Sequence, residues 1–109
     1  MAANILLALS TFPDAETARR ISNQLVTEKF AACANILPAI ESIYRWKNEV
    51  QREKEVLLLA KTTDVRFAEL EKAVREMHSY DTPEIVALPV SKVSEPYRAW
   101  LLDSISSAS

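Results

Sequence analysis

The chain has no glycine among its 109 residues. Gly-rich phosphate loops of the Rossmann or Walker kind need glycine where backbone N–H groups approach a phosphate closely, so a nucleotide held in either way is excluded. Turns and helix ends that need φ > 0 must recruit another residue. Asn48, at the tip of a long hairpin, is the best-placed stand-in. Cysteine and histidine are nearly as scarce. The one cysteine, Cys33, cannot close a disulfide within the chain, which fits a reducing compartment. The one histidine, His78, rules out a His-rich or HxxH-type metal site within one subunit. No basic stripe is present either: 13 Lys and Arg are interleaved with 15 Asp and Glu, for a net charge of −2, so the electrostatic footprint of a nucleic-acid binder is missing. The apolar run at residues 5–9 is too short for a signal core or a membrane span, and no positive segment precedes it. These absences predict a cytoplasmic protein without nucleic-acid or membrane partners.

What is present fits one domain over residues 1–109, with 49% apolar and 26% charged residues and a single core. Its dominant feature is residues 30–62, FAACANILPAIESIYRWKNEVQREKEVLLLAKT, two apolar-patterned segments joined by a polar turn at Lys47, Asn48 and Glu49. They read as one β-hairpin too long for its domain. The arm over residues 31–47 would measure roughly 55 Å if straight, whereas a compact chain of this length has a radius of gyration of about 13 Å. The hairpin must bend or project, and Pro38, which has no N–H for a ladder, is the place for a bulge. Beyond it Ile40, Ser42, Tyr44 and Trp46 alternate with Glu41, Ile43, Arg45 and Lys47, and neither face is purely polar. Such an arm calls for cover from another subunit, hence an obligate oligomer.

Before the hairpin, residues 4–10 read as a short central strand. Asp14 then caps a helix to about Glu28, with Ala18, Ile21 and Leu25 on its apolar face. The run Val56, Leu57, Leu58, Leu59, Ala60 in the second arm is apolar on both faces, as in a buried central strand. Thr63 or Asp64 is the expected cap of a second helix that carries Phe67, Leu70, Val74 and Met77 on one face and ends near His78. Residues 79–83 form a loop, residues 84–88 a fourth strand stopped or bulged at Pro89, and Ser94 caps a last helix with Tyr97, Trp100, Leu101 and Ile105 on its apolar face. Residues 106–109 are expected to fray. The order predicts an α+β fold: a ferredoxin-like split βαβ sandwich with a long bent hairpin between its second and third strands and an extra C-terminal helix.

The phrases FAACANILPAIESIYRW, EVLLLAKT, HSYDTPEIVALPV and YRAWL, in that order, resemble the CutA family of divalent-cation tolerance proteins. The resemblance covers nearly the whole chain. It implies a tight homotrimer built like the PII signalling proteins, with hairpin arms pairing between subunits, and a link to copper and other divalent metals. It also implies a ligand set, a cysteine at the end of the first strand and two adjacent histidines before the loop tyrosine. The matching positions here are Ser10, Met77 and His78, so only His78 is retained. The chain also has Pro38-Ala39 where the family commonly has proline then glycine, and Asn48 where a glycine is usual at the hairpin tip.

Two groups of side chains are therefore candidates. The metal candidates are His78, Met77, Ser10 and Cys33, a thioether and thiolate beside imidazole favouring Cu(I) over hard cations. Each also has a packing role: Met77 continues the helix stripe, Cys33 lies in a small apolar stretch, and His78 can cap the helix end. No metal is required for folding on this reading. The second group, Tyr44, Arg45, Trp46, Lys61, Tyr80 and Glu84, would form a cleft where the hairpin of one subunit roofs the 80–84 loop of another. There Lys61 and Arg45 would meet a small anionic ligand, the alternative being trimer packing and salt bridging. No Ser/His/Asp or Cys/His arrangement can be placed, so a non-enzymatic protein is expected.

Overall fold

In the computed structural model, which describes residues 3–106, the chain runs β1 (Ile5–Phe12), α1 (Ala15–Thr27), β2 (Cys33–Trp46), β3 (Glu49–Thr63), α2 (Phe67–Met77), β4 (Val86–Pro89) and α3 (Glu95–Ser104). The strands form one sheet in the order β2-β3-β1-β4, every neighbouring pair antiparallel. This is the ferredoxin-like arrangement, with the most continuously apolar strands, β1 and β3, in the middle as burial on both sides requires.

Side-chain alternation divides the sheet into two unlike faces. Ala8 and Phe12 of β1, with Val56, Leu58 and Ala60 of β3, turn toward α1 and α2 and meet Ala18, Ile21, Leu25, Leu70 and Val74 in the main core. Asp14 starts α1 by accepting the Thr17 backbone N–H at 2.7 Å, a bond that lowers its pKa below the usual carboxylate value. The opposite face carries Leu7, Leu9, Leu57, Leu59, Val86 and Leu88. α3 seals one end of it, where Ile5, Ala32, Leu101 and Ile105 form a second buried cluster.

The hairpin projects as its length requires: the molecule measures 45 × 26 × 22 Å, with a radius of gyration of 14.6 Å. A register shift between Leu37 and Ile40 places one extra residue in β2, the bulge expected at Pro38. Asn48 takes positive φ at the tip, as the missing glycine demanded, and so do Lys47 beside it and Lys29 after α1. Two consecutive positive φ values are what a two-residue turn matching the strand twist needs.

Several boundaries differ from expectation. β1 extends to Phe12 because Thr11 and Phe12 still pair with Leu57 and Val56. Thr63 and Asp64 do not cap α2: Thr63 remains in the ladder opposite Ile5, and Asp64 donates its backbone N–H to Asn4 O while its Oδ1 accepts the Asn4 backbone N–H. Helix α2 thus begins only at Phe67, after Arg66 and without a side-chain cap. β4 starts at Val86, since only residues 86–89 find partners on β1, and Pro89 is tolerated because β4 is an edge. Ser94 holds the N-cap position of α3 without a side-chain capping bond, and Trp100 is exposed rather than buried. Of the tail expected to fray, residues 107–109 lie outside the described residues.

Candidate functional site

The extra residue at Pro38-Ala39 does more than bend the hairpin. Before the bulge Leu37 sits opposite Leu57, and after it Ile40, Ser42, Tyr44 and Trp46 sit opposite Glu55, Glu53, Gln51 and Glu49. The parity of β2 is reversed, so Tyr44 and Trp46 come onto the side of the sheet that carries Thr11 and Glu55. There the outer hairpin and the loop before β4 enclose a cleft of about 570 Å³, lined by Thr11, Ser42, Ile43, Tyr44, Trp46 and Glu55 and closed by Tyr80, Asp81, Thr82 and Glu84.

The far wall is held by His78. This residue is the C-cap of α2, and its backbone N–H returns to Val74 O at 2.8 Å. Its ring stacks on Phe12 with centroids 4.5 Å apart and planes 16° from parallel. Nε2 lies 2.7 Å from Thr11 O, and Nδ1 accepts the Tyr80 backbone N–H at 3.0 Å. An acceptor at Nδ1 and a carbonyl facing Nε2 together fit the tautomer with hydrogen on Nε2. Thus anchored, the loop delivers Tyr80, whose ring lies 4.7 Å from that of His78 and whose hydroxyl donates to Glu55 Oε2 at 2.8 Å. Glu55 is 8% exposed. Burial first, then the bond to Glu55 and its charge, raise the Tyr80 hydroxyl well above the ordinary tyrosine range. Burial, then Glu53 and Glu55, raise Tyr44 as well.

The metal candidates are scattered. Ser10 is buried on the helix side of the sheet, and its Oγ has no hydrogen-bond partner there. Met77 packs against the same core. Both His78 nitrogens are engaged, so a metal could take a lone pair only by breaking one of these bonds. Cys33 belongs to a different place: its thiol lies 3.6 Å from Tyr97 Oη and reaches Asn35 Oδ1 at 3.9 Å. Among the described residues no three His, Cys, Asp or Glu side chains gather as a metal would need. The residues at the implied copper positions do not fit such a site within one chain.

Of the cleft candidates, Tyr44, Trp46, Tyr80 and Glu84 are brought together by one chain. Arg45 and Lys61 are not. Arg45 alternates to the far side of β2 from Tyr44 and Trp46. Lys61 lies six residues along β3 from Glu55, roughly 20 Å away at strand rise, beside Cys33 and with its ammonium 5.6 Å from the Tyr97 ring. Burial alone would lower the Lys61 pKa, but Cys33 and Tyr97 outweigh it and raise it. Among the described residues of one chain the cleft therefore carries carboxylates and no basic side chain, which opposes an anion inside it. Sequence reasoning missed Glu55, Asp81 and Thr11. The signal for Glu55 was the bulge itself, because counting alternation across Pro38 puts Tyr44 on the side of Glu55.

Known proteins share this architecture over nearly its full length. The family model described as CutA1 divalent ion tolerance protein matches residues 6–104. A divalent-cation tolerance protein CutA from Thermus thermophilus is 46% identical over 98 residues, covering 90% of this chain and 95% of that one. The chloroplastic protein CutA of Arabidopsis thaliana is 43% identical over 94 residues, 86% of this chain but 52% of its own length. The crystal structure of CutA1 from Oryza sativa superposes with a TM-score of 0.92 at 36% identity, over 96% of each chain. With fold and sequence in agreement, the chain belongs to the CutA1 divalent ion tolerance family.

Proposed function

We propose that this chain acts as a non-enzymatic, cytoplasmic homotrimer in divalent-cation tolerance. The observation that carries the assembly is the apolar surface one chain leaves uncovered. On the outer hairpin Ile43 is 61% and Val50 68% exposed, and on the sheet face away from α1 and α2 Val86 and Leu88 are about half exposed beside Leu7, Leu9, Leu57 and Leu59. Exposed apolar surface of this kind marks a protein contact, and further copies of the same chain supply one of matching shape. The number three is carried over from the family resemblance. The tolerance role is carried over from the names of the relatives, and copper or another divalent ion is the cation it concerns. Because the donors of one chain are dispersed, folding on this reading needs no resident metal. Among the described residues no helix is long and apolar enough to cross a membrane.

A sensor trimer with a small anion in its inter-subunit clefts has less behind it, since Arg45 and Lys61 do not share a cleft within one chain. The assembly is tested by multi-angle light scattering at low micromolar concentration on the parent and on Val86→Asp/Leu88→Asp, which puts charge where a single chain is already open to water. Three chains are expected for the parent and one for the variant. A parent that scatters as a single chain would refute the proposal.

A further inference from the structure

The outer hairpin has two sides of opposite charge. Beyond the bulge, Tyr44 and Trp46 of β2 alternate onto one side with Glu49, Glu53 and Glu55 of β3, and no basic residue of the paired strands shares it. Lys47, in the turn, reaches only the outermost ring, that of Trp46. The other side carries Arg45, Arg52 and Lys54, with Glu41 the one acid among them. Two contacts agree with this division. Arg52 Nε lies 4.0 Å from Glu41 Oε2 on the basic side, and on the acidic side burial, then Glu53 and Glu55, raise the Tyr44 hydroxyl.

Each side lacks what the other holds. Glu55 is 8% exposed, its polar partner is the Tyr80 hydroxyl, and no ion pair among the described residues includes it. Asp81 and Glu84 add negative charge where the loop closes the cleft. When a further copy covers this side it takes water from these carboxylates, and a buried carboxylate needs a counter-charge. The basic side has the opposite need. Ile43 and Val50 alternate onto it, 61% and 68% exposed, beside three cations of which only Arg52 is ion-paired, in an exposed pair that contributes little. Such an arm also restricts symmetry. A two-fold contact sets one patch against itself, which through the acidic side would put carboxylate on carboxylate, whereas a head-to-tail contact joins unlike patches and, repeated, closes a ring.

We propose that the hairpins pack head to tail, the basic side of one copy, with Arg45, Arg52 and Lys54, closing the acidic cleft of the next and supplying the counter-charge of its Glu55. Ile43 and Val50 enter with the cations and cover Tyr44 and Trp46, whose ring faces attract guanidinium and ammonium groups. The occupant of the cleft is thus a second copy of this chain, and every copy gives one side and receives on the other. The inference rests on the assembly proposed above and adds to it the direction of the contact and the partner of Glu55.

Charge reversal tests this at Glu49, Arg52, Glu53 and Lys54, all exposed in a single chain, so that each variant keeps its fold. Native mass spectrometry follows subunit exchange between unlabelled and isotope-labelled protein. Glu49→Lys/Glu53→Lys and Arg52→Glu/Lys54→Glu each set like charges together and should speed exchange at least about ten-fold, because paired charges at an interface act on dissociation. The variant carrying all four changes swaps the two sides and should return most of the way to the parent rate. Carbodiimide, which joins an ammonium to a carboxylate in contact, should link Lys54 of one chain to Glu53 or Glu55 of another in mixed assemblies. Equal exchange by the parent and both half-reversed variants, no rescue by the four changes together, or inter-chain links to these carboxylates from Lys61 alone would overturn the head-to-tail packing. A parent that behaves as a single chain would overturn the assembly itself, so the two failures are told apart.

Discussion

Replacing Tyr80 with Phe removes a single oxygen and isolates the bond that closes the cleft. The hydroxyl donates to Glu55 Oε2 at 2.8 Å, and Glu55 is almost wholly buried whereas Tyr80 is 37% exposed. The tyrosine side can be rehydrated, but the carboxylate side cannot without opening the loop. A hydrogen bond to a charged group contributes about 1.5–3 kcal/mol, and an orphaned buried acceptor costs about 1–3 kcal/mol. Discounted for the exposed partner, Tyr80→Phe should lose about 1–2 kcal/mol. Urea unfolding at one fixed protein concentration measures this, because assembly also contributes to apparent stability. The midpoint should fall with an unchanged slope, which separates lost stability from a changed denatured state. A cycle with Glu55→Gln should return a coupling of similar size, and Tyr80→Phe should speed amide exchange in residues 79–84. A loss below about 0.3 kcal/mol, the scatter at which independent sites add, would mean that the loop is held by His78 alone and that the Tyr80–Glu55 pair is incidental.

The raised Tyr80 hydroxyl also sets a pH dependence. Above pH 10 the unfolded chain loses this proton first, so the folded chain holds more protons and stability falls as pH rises through the tyrosine range. Tyr80→Phe should flatten that alkaline limb, as followed by urea titrations at stepped pH, and an unchanged limb would assign it to Tyr44 and Tyr97. Lys29 holds φ 64 just after α1, where the Phe30 N–H returns to Leu25 O. Lys29→Gly relieves the left-handed cost of roughly 1–2 kcal/mol, less the chain entropy of glycine, and should gain about 0.5–1 kcal/mol. Ser10→Ala deletes a buried hydroxyl that lacks a partner and should leave stability unchanged or raise it by up to about 1 kcal/mol. A large loss would reveal an undetected partner for Ser10.

The hairpin, the bulge at Pro38, the tip at Asn48 and the order of elements were all legible because they rest on local chemistry: a missing N–H, a missing glycine, and period-two or helical spacing. The misplaced start of α2 shows where local chemistry yields. Thr63 and Asp64 look like caps in isolation, but Ile5 and Asn4 claim them for the sheet across some 60 residues of chain. The site was half legible. Tyr44, Trp46, Tyr80 and Glu84 stood out as aromatic or charged residues beside turns, yet their common cleft depends on a parity reversal that one extra residue imposes on β2. The same parity argument separates Arg45 from the cleft and buries Ser10 beside Ala8 and Phe12, whereas Lys61 shares the face of Glu55 and is removed from the cleft by distance along β3. His78 drew attention as a metal donor because it is the only histidine. Its place at the helix end and its bond from the nearby Tyr80 N–H are local, but the bond to Thr11 O joins residues 67 positions apart and, with the stack on Phe12, had no local signal.

Native mass spectrometry of freshly purified protein is the most direct test of the assembly, since it reports chain number and retained small molecules in one spectrum. The account predicts an ion series at three times the 12.3 kDa chain mass, without a stoichiometric metal ion. A spectrum dominated by the single-chain mass at low micromolar concentration would contradict it.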